Sequence, residues 1–113
     1  MEMARNCLSE LLGGAEPINI TVDKIFSAVF NKYNISKEEL IGSKRNKDIA
    51  HARHIAIYLI RDITEMSFPN LGRLFNRDHT TVMNSCELIA SKIAKDPLFN
   101  MELTELSKEI SGL

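Results

Sequence analysis

No stretch of this chain approaches the roughly 18 consecutive apolar residues that a membrane-spanning helix needs. Its opening, MEMARNCLSE, lacks the basic-then-apolar order of a secretory signal. Cysteine is scarce: Cys7 and Cys86 lie far apart, and Cys86 falls in a helical apolar pattern. This argues against a disulfide framework, and a reducing cytoplasm is the expected setting. No phosphate loop of the form GxxxxGK followed by Ser or Thr occurs, because Gly13-Gly14 runs on into alanine and glutamate. His51 and His54 stand three apart, but no second ligand pair follows at zinc-like spacing and both sit beside basic residues, which argues against a metal. Nothing resembles a serine or cysteine triad, and no acid pair is isolated enough to be tuned for catalysis. The chain is thus expected to be neither an enzyme nor a cofactor binder, and it shows no internal repeat or low-complexity run.

What remains is 113 residues with 44% hydrophobic side chains, enough for one domain with a genuine core. The net charge of −1 argues mildly against a nucleic-acid partner, but the charge is unevenly spread. Between Ser43 and Thr81 stand seven basic residues (Lys44, Arg45, Lys47, Arg53, Arg61, Arg73, Arg77) against four acids, a local net of +3. The remainder carries −4. A basic segment in an acidic chain suits a surface that faces phosphate while the rest faces water; a mixed solvated surface is the plain alternative.

Hydrophobic periodicity predicts an all-α bundle of about five to six helices and no strand. MEMARNCLSELL places Leu8, Leu11 and Leu12 on one face and stops at Gly13-Gly14, after which GGAEPIN reads as a linker. Thr21 is the expected N-cap of the next helix, with Ile20 and Ile25 as a hydrophobic staple. That helix sets Val22, Ile25, Phe26, Val29, Phe30 and Tyr33 toward the core and ends near Asn34. Ser36 and Glu39 form a capping box for a short helix through Leu40. After the basic loop GSKRNKD, a helix from Ile49 to about Met66 carries Ala52, Ile55, Ala56, Leu59, Ile60 and Ile63. SFPNLGRLF is a short helix capped by Ser67, with Pro69 tolerated in its first turn. The final helix starts with Asp96 as N-cap and Pro97 at its first position, sets Leu98, Met101, Leu106 and Ile110 inward, and frays at Gly112.

Between those last two, NRDHTTVMNSCELIASKI (76–93) opens with more polar groups than a core helix requires. Val82, Cys86, Ile89 and Ile93 define its buried face. Stepping 100° per residue turns Thr80 and Asn84 outward, Thr81 and Ser85 to one flank and His79 to the other, with Asp78 at the tip as cap. With SFPNLGRLF and the turn Asn76-Arg77, this makes a helix-turn-helix whose second helix can offer short polar side chains to the DNA major groove. Threonine brings a hydroxyl and a methyl to base edges, and a carboxylate can accept from cytosine N4. The basic loop can lay an arginine into the narrow minor groove, with Arg53 and Arg61 near phosphates. Simple capping and solvent exposure are the alternative.

The run RDHTTV (77–82), with the upstream SKRNKDIAHARHIAIYLIRDIT and SFPNLGRLF, resembles the C-terminal DNA-binding domain of the bacterial replication initiator family DnaA over roughly residues 20–110. The resemblance implies sequence-specific binding of duplex DNA at asymmetric nonamers, the DnaA boxes of the replication origin, by a monomeric domain. It implies base contacts from Asp78, His79, Thr80 and Ser85 in the major groove and from Arg45 in the minor groove. It implies phosphate contacts from Lys44, Lys47, Arg53, His54, Arg61, Ser67, Arg77 and Thr81. Two positions depart from the pattern: His54 stands where glutamine is common and His51 where some members have arginine. The resemblance further implies that residues 1–19 are the tail of a linker helix leading to an ATP-binding AAA+ domain, and that residues 20–113 form the DNA-binding unit. ATP is expected only in that other domain, and regulatory proteins are possible partners. A promoter- or transposition-associated regulator built on the same module, and a helical module whose basic loop binds an acidic protein, are the competing readings.

Overall fold

The computed structural model describes residues 18–42 and 46–111, and among them every regular element is a helix. The expected linker helix over residues 1–12, residues 13–17 of the linker after it and the fraying at Gly112 lie outside the described residues, while Ile18 and Asn19, expected in that linker, open the first helix. Six helices follow one another: α1 (Ile18–Tyr33), α2 (Lys37–Ile41), α3 (Lys47–Thr64), α4 (Phe68–Phe75), α5 (His79–Lys95) and α6 (Pro97–Ser111).

Helix α1 begins three residues before Thr21, which therefore lies inside the first turn and is not its N-cap. The expected domain boundary at 19/20 falls within the same turn. The staple fails for the same reason: Ile20 is 44% exposed while Ile25 is sealed in the core. Val22, Ile25, Phe26 and Val29 are buried, but Phe30 sits at the edge of their stripe and is 48% exposed. Asn34 ends the helix in the left-handed region at φ 59°, and Glu65 and Asn76 do the same for α3 and α4. Asparagine tolerates that conformation better than most side chains.

The expected caps are present where a side chain can reach its helix. Ser36 Oγ accepts from Glu39 N at 3.2 Å while Ser36 N donates to Glu39 Oε1 at 3.1 Å, the reciprocal pair of a capping box. Ser67 Oγ accepts from Asn70 N, and Asp96 Oδ1 accepts from Leu98 N and Phe99 N. By starting α6 there, Asp96 fixes its phase. Phe99, Leu103, Leu106 and Ile110 turn inward at steps of four, three and four, and the expected Leu98 and Met101 are turned out, 77% and 60% exposed.

Helix α3 is the centre. It starts at Lys47 behind an Asn46 cap, two residues before its first apolar side chain. It packs against α1, α2, α4 and α5, so Ile57 is buried together with Ile49, Ala52, Ile55, Ala56, Leu59 and Ile60. The tilted contact of Phe26 and Phe75, 5.8 Å between ring centroids, ties α1 to the end of α4. No helix among the described residues is long and apolar enough to cross a membrane.

Candidate nucleic-acid interface

Helices α4 and α5 are joined by a turn whose tightness depends on one glycine. Arg77 N donates to Gly72 O at 2.8 Å and Asn76 N to Arg73 O at 3.3 Å, closing the end of α4. A Cβ at position 72 would lie 2.5 Å from Arg77 O and 3.3 Å from His79 N. Only the bare α-carbon lets the turn pass so close, so Gly72 sets where α5 begins. A glycine within a helical pattern, just ahead of Asn76, is the sequence signal that marks this.

The start of α5 is open to solvent. Asp78, His79, Thr80, Thr81 and Asn84 are all exposed, whereas Val82 and Ile89 on the opposite side are sealed. Asp78 occupies the N-cap position, and its carbonyl accepts from Thr81 N and Val82 N at 3.0 and 3.2 Å. Its carboxylate, however, makes no capping hydrogen bond, contrary to expectation. The tip borders a polar groove that continues onto Pro69, Arg73 and Asn76.

Ser85 is not on this surface. It is 2% exposed, with its Oγ 2.7 Å from His54 Nδ1 and donating to Thr81 O at 3.2 Å. The packing of α5 on α3 rotates Ser85 into the interface between the two helices, which takes it away from base edges. His54, half-buried, thereby links α3 to the first turn of α5. Cys86 and Ile93, expected on the buried face, are partly buried against the core.

Three arginines expected at phosphates are instead engaged within the protein. Arg53 is 8% exposed; its Nε donates to Leu40 O at 2.6 Å and its guanidinium also reaches Glu39 O and Gly42 O. Arg77 donates to Gly42 O at 2.7 Å, Phe75 O at 2.9 Å and Ile41 O at 3.2 Å. The end of the five-residue helix α2 leaves carbonyls without intrahelical partners, and two converging guanidinium groups satisfy them. Burial, reinforced by the Arg77 charge, lowers the Arg53 pKa. Arg61 donates to Met66 O at 2.7 Å and stacks 4.4 Å over the Phe68 ring, bracing the bend between α3 and α4.

Lys47 at the start of α3 and Ser67 at the start of α4 are exposed. Lys44 and Arg45 lie outside the described residues, but the chain enters that stretch at Gly42, where Arg53 and Arg77 meet. The structure thus brings Asp78, His79, Thr80 and Thr81 together on one exposed tip and buries Ser85 and, on α3, Arg53.

The sequence matches the family model described as the bacterial dnaA protein helix-turn-helix over residues 22–89, which spans α1 through most of α5. It is 39% identical over 112 residues to proteins named chromosomal replication initiator protein DnaA from Thermoanaerobacter sp. strain X514 and from Thermoanaerobacter pseudethanolicus. Those alignments cover 99% of this chain but 25% of each relative, so the chain spans about a quarter of their length. The matched family model describes a helix-turn-helix and not an ATPase, in keeping with the missing phosphate-loop pattern. With more than half of its residues inside the family model, and with its glycine-closed turn between α4 and α5, the chain belongs to the bacterial DnaA helix-turn-helix family.

Proposed function

We propose that this domain binds duplex DNA sequence-specifically at short asymmetric boxes of a replication origin, as part of initiating and regulating chromosomal replication. The observation that carries the reading is the exposed polar start of α5, held clear of the core by the turn packed on Gly72. A helix presented end-on fits the major groove, and its short side chains let the backbone approach base edges. Asp78, with its carboxylate unspent on capping, can accept from cytosine N4. His79 and Thr80 take the neighbouring base edges, and Thr81, Lys47, Ser67 and His54 the flanking phosphates. Arg45 enters the minor groove with Lys44 beside it. Arg53, Arg61 and Arg77 act at one remove, by holding the end of α2 and the α3–α4 bend. The names of the relatives support the replication setting. An asymmetric box suits a monomer, and the compartment is the cytoplasm.

Selection of binding sites from random duplexes tests this directly. One asymmetric consensus is expected, and Arg45→Ala and His79→Ala should each weaken binding to it by about 1–3 kcal/mol without loss of helicity. Enrichment of no sequence would contradict the proposal.

A further inference from the structure

Between the start of α3 and the last turn of α5 lies a depression lined by Lys47, Asp48, Ala50, His51, His54 and Lys92. Four of these side chains are cationic or become so on protonation, against a single acid, so the surface suits an anion. His51 and His54 share one face of α3 at a spacing of three. His54 Nδ1 is engaged by Ser85 Oγ, which leaves Nε2 as the ring's remaining polar atom. His51 is held by ring contacts, edge-on to Tyr33 at 6.3 Å and tilted on Phe99 at 5.9 Å. Neither of its ring nitrogens hydrogen-bonds to a described residue. Lys92 Nζ lies 4.5 Å over the same Phe99 ring, so one aromatic side chain positions both cationic groups. Through Ser85, two successive hydrogen bonds connect His54 in the depression to the Thr81 carbonyl at the tip.

We propose that this depression seats a backbone phosphate of the same duplex that the α5 tip reads, and that protonation of His51 and His54 strengthens its grip. The inference rests on duplex binding at that tip; His51, Lys92 and the proton linkage are what it adds. Facing His51 are Tyr33 from α1, Lys92 from α5, Phe99 and Glu102 from α6, and Asp48 one turn back on α3. Facing His54 are Arg53 and His51 on its own helix and Ser85 from α5. Burial lowers both imidazole pKa values. Lys92 adds to the effect at His51, where Glu102 and Asp48 oppose it, and Arg53 and His51 add to it at His54. An arriving phosphate supplies the anion that the protonated rings need, and binding takes up protons.

The experiment uses a duplex box selected by the wild-type protein, with affinity read by fluorescence anisotropy at about pH 6 and about pH 8 and over a salt series. Wild type should bind several-fold more tightly at the lower pH. The double variant His51→Gln/His54→Gln should lose most of that gain, since glutamine can still hydrogen-bond Ser85 but does not titrate. His79 is present in both proteins, so its contribution cancels from the comparison. Lys92→Gln should reduce the slope of log K against log salt by about 0.9, the loss of one phosphate contact. The same pH response in wild type and double variant, or an unchanged slope in Lys92→Gln, overturns the inference. Wild type binding box and scrambled duplexes equally would overturn the reading beneath it instead.

Discussion

Asp78 and Asp96 both stand at helix N-caps, yet only Asp96 bonds to the backbone of its helix. Asp96→Ala should therefore cost about 1 kcal/mol in urea unfolding. Asp78→Ala should cost no more than about 0.5 kcal/mol, the residual interaction with the helix dipole, while weakening duplex binding. Arg53→Met should lower stability by about 2 kcal/mol, because it strips partners from the α2 carbonyls. At this scale the sequence was a fair guide to the exposed tip, since polar residues there have no competing fate. It misled at Ser85 and Arg53. A small hydroxyl on a helix flank and an arginine near a basic loop look alike whether they meet DNA or protein, and only the packing of α5 and α2 on α3 decides between the two.

Among the helices, Gly72 is the clearest determinant. A methyl group there meets the backbone of Arg77 at 2.5 Å, where no flexible side chain can yield, so the turn itself must move. Gly72→Ala should lower stability by about 1–3 kcal/mol and displace the start of α5. Denaturant unfolding and amide exchange at His79 to Val82 would check this. Element boundaries were legible at the caps Ser36, Ser67 and Asp96, but not at Asn46, which accepts from Asp48 N and starts α3 two residues ahead of the expected Ile49. They were less legible at α1, which starts ahead of Thr21 without the expected staple. In α6 the inward set was misread because Leu98 and Met101 are as apolar as Phe99 and Leu103. The even four-three-four spacing from Phe99 to Ile110 was the better signal.

Across the molecule, the two histidines tie stability and binding to pH with opposite signs. His51 and His54 are both lowered from the ordinary value of 6.5, so as pH falls below it the unfolded chain takes up protons before the folded one. Their contribution is intact above about pH 6.5 and is lost as pH falls through the folded values. The melting temperature of free protein should decline over that window, and less so in His51→Gln/His54→Gln. Duplex binding is expected to strengthen over the same range. The all-helical bundle followed from periodicity alone, whereas this linkage depends on α1, α5 and α6 meeting around His51, which no local pattern encodes.

The most direct measurement is the affinity of wild type and His79→Ala for matched duplexes, box against scrambled, at one moderate salt concentration. Wild type should prefer the box, and His79→Ala should erode that preference by about 1–3 kcal/mol with helicity unchanged. Equal affinity of wild type for the two duplexes would contradict the assignment of the α5 tip as a reader of base sequence.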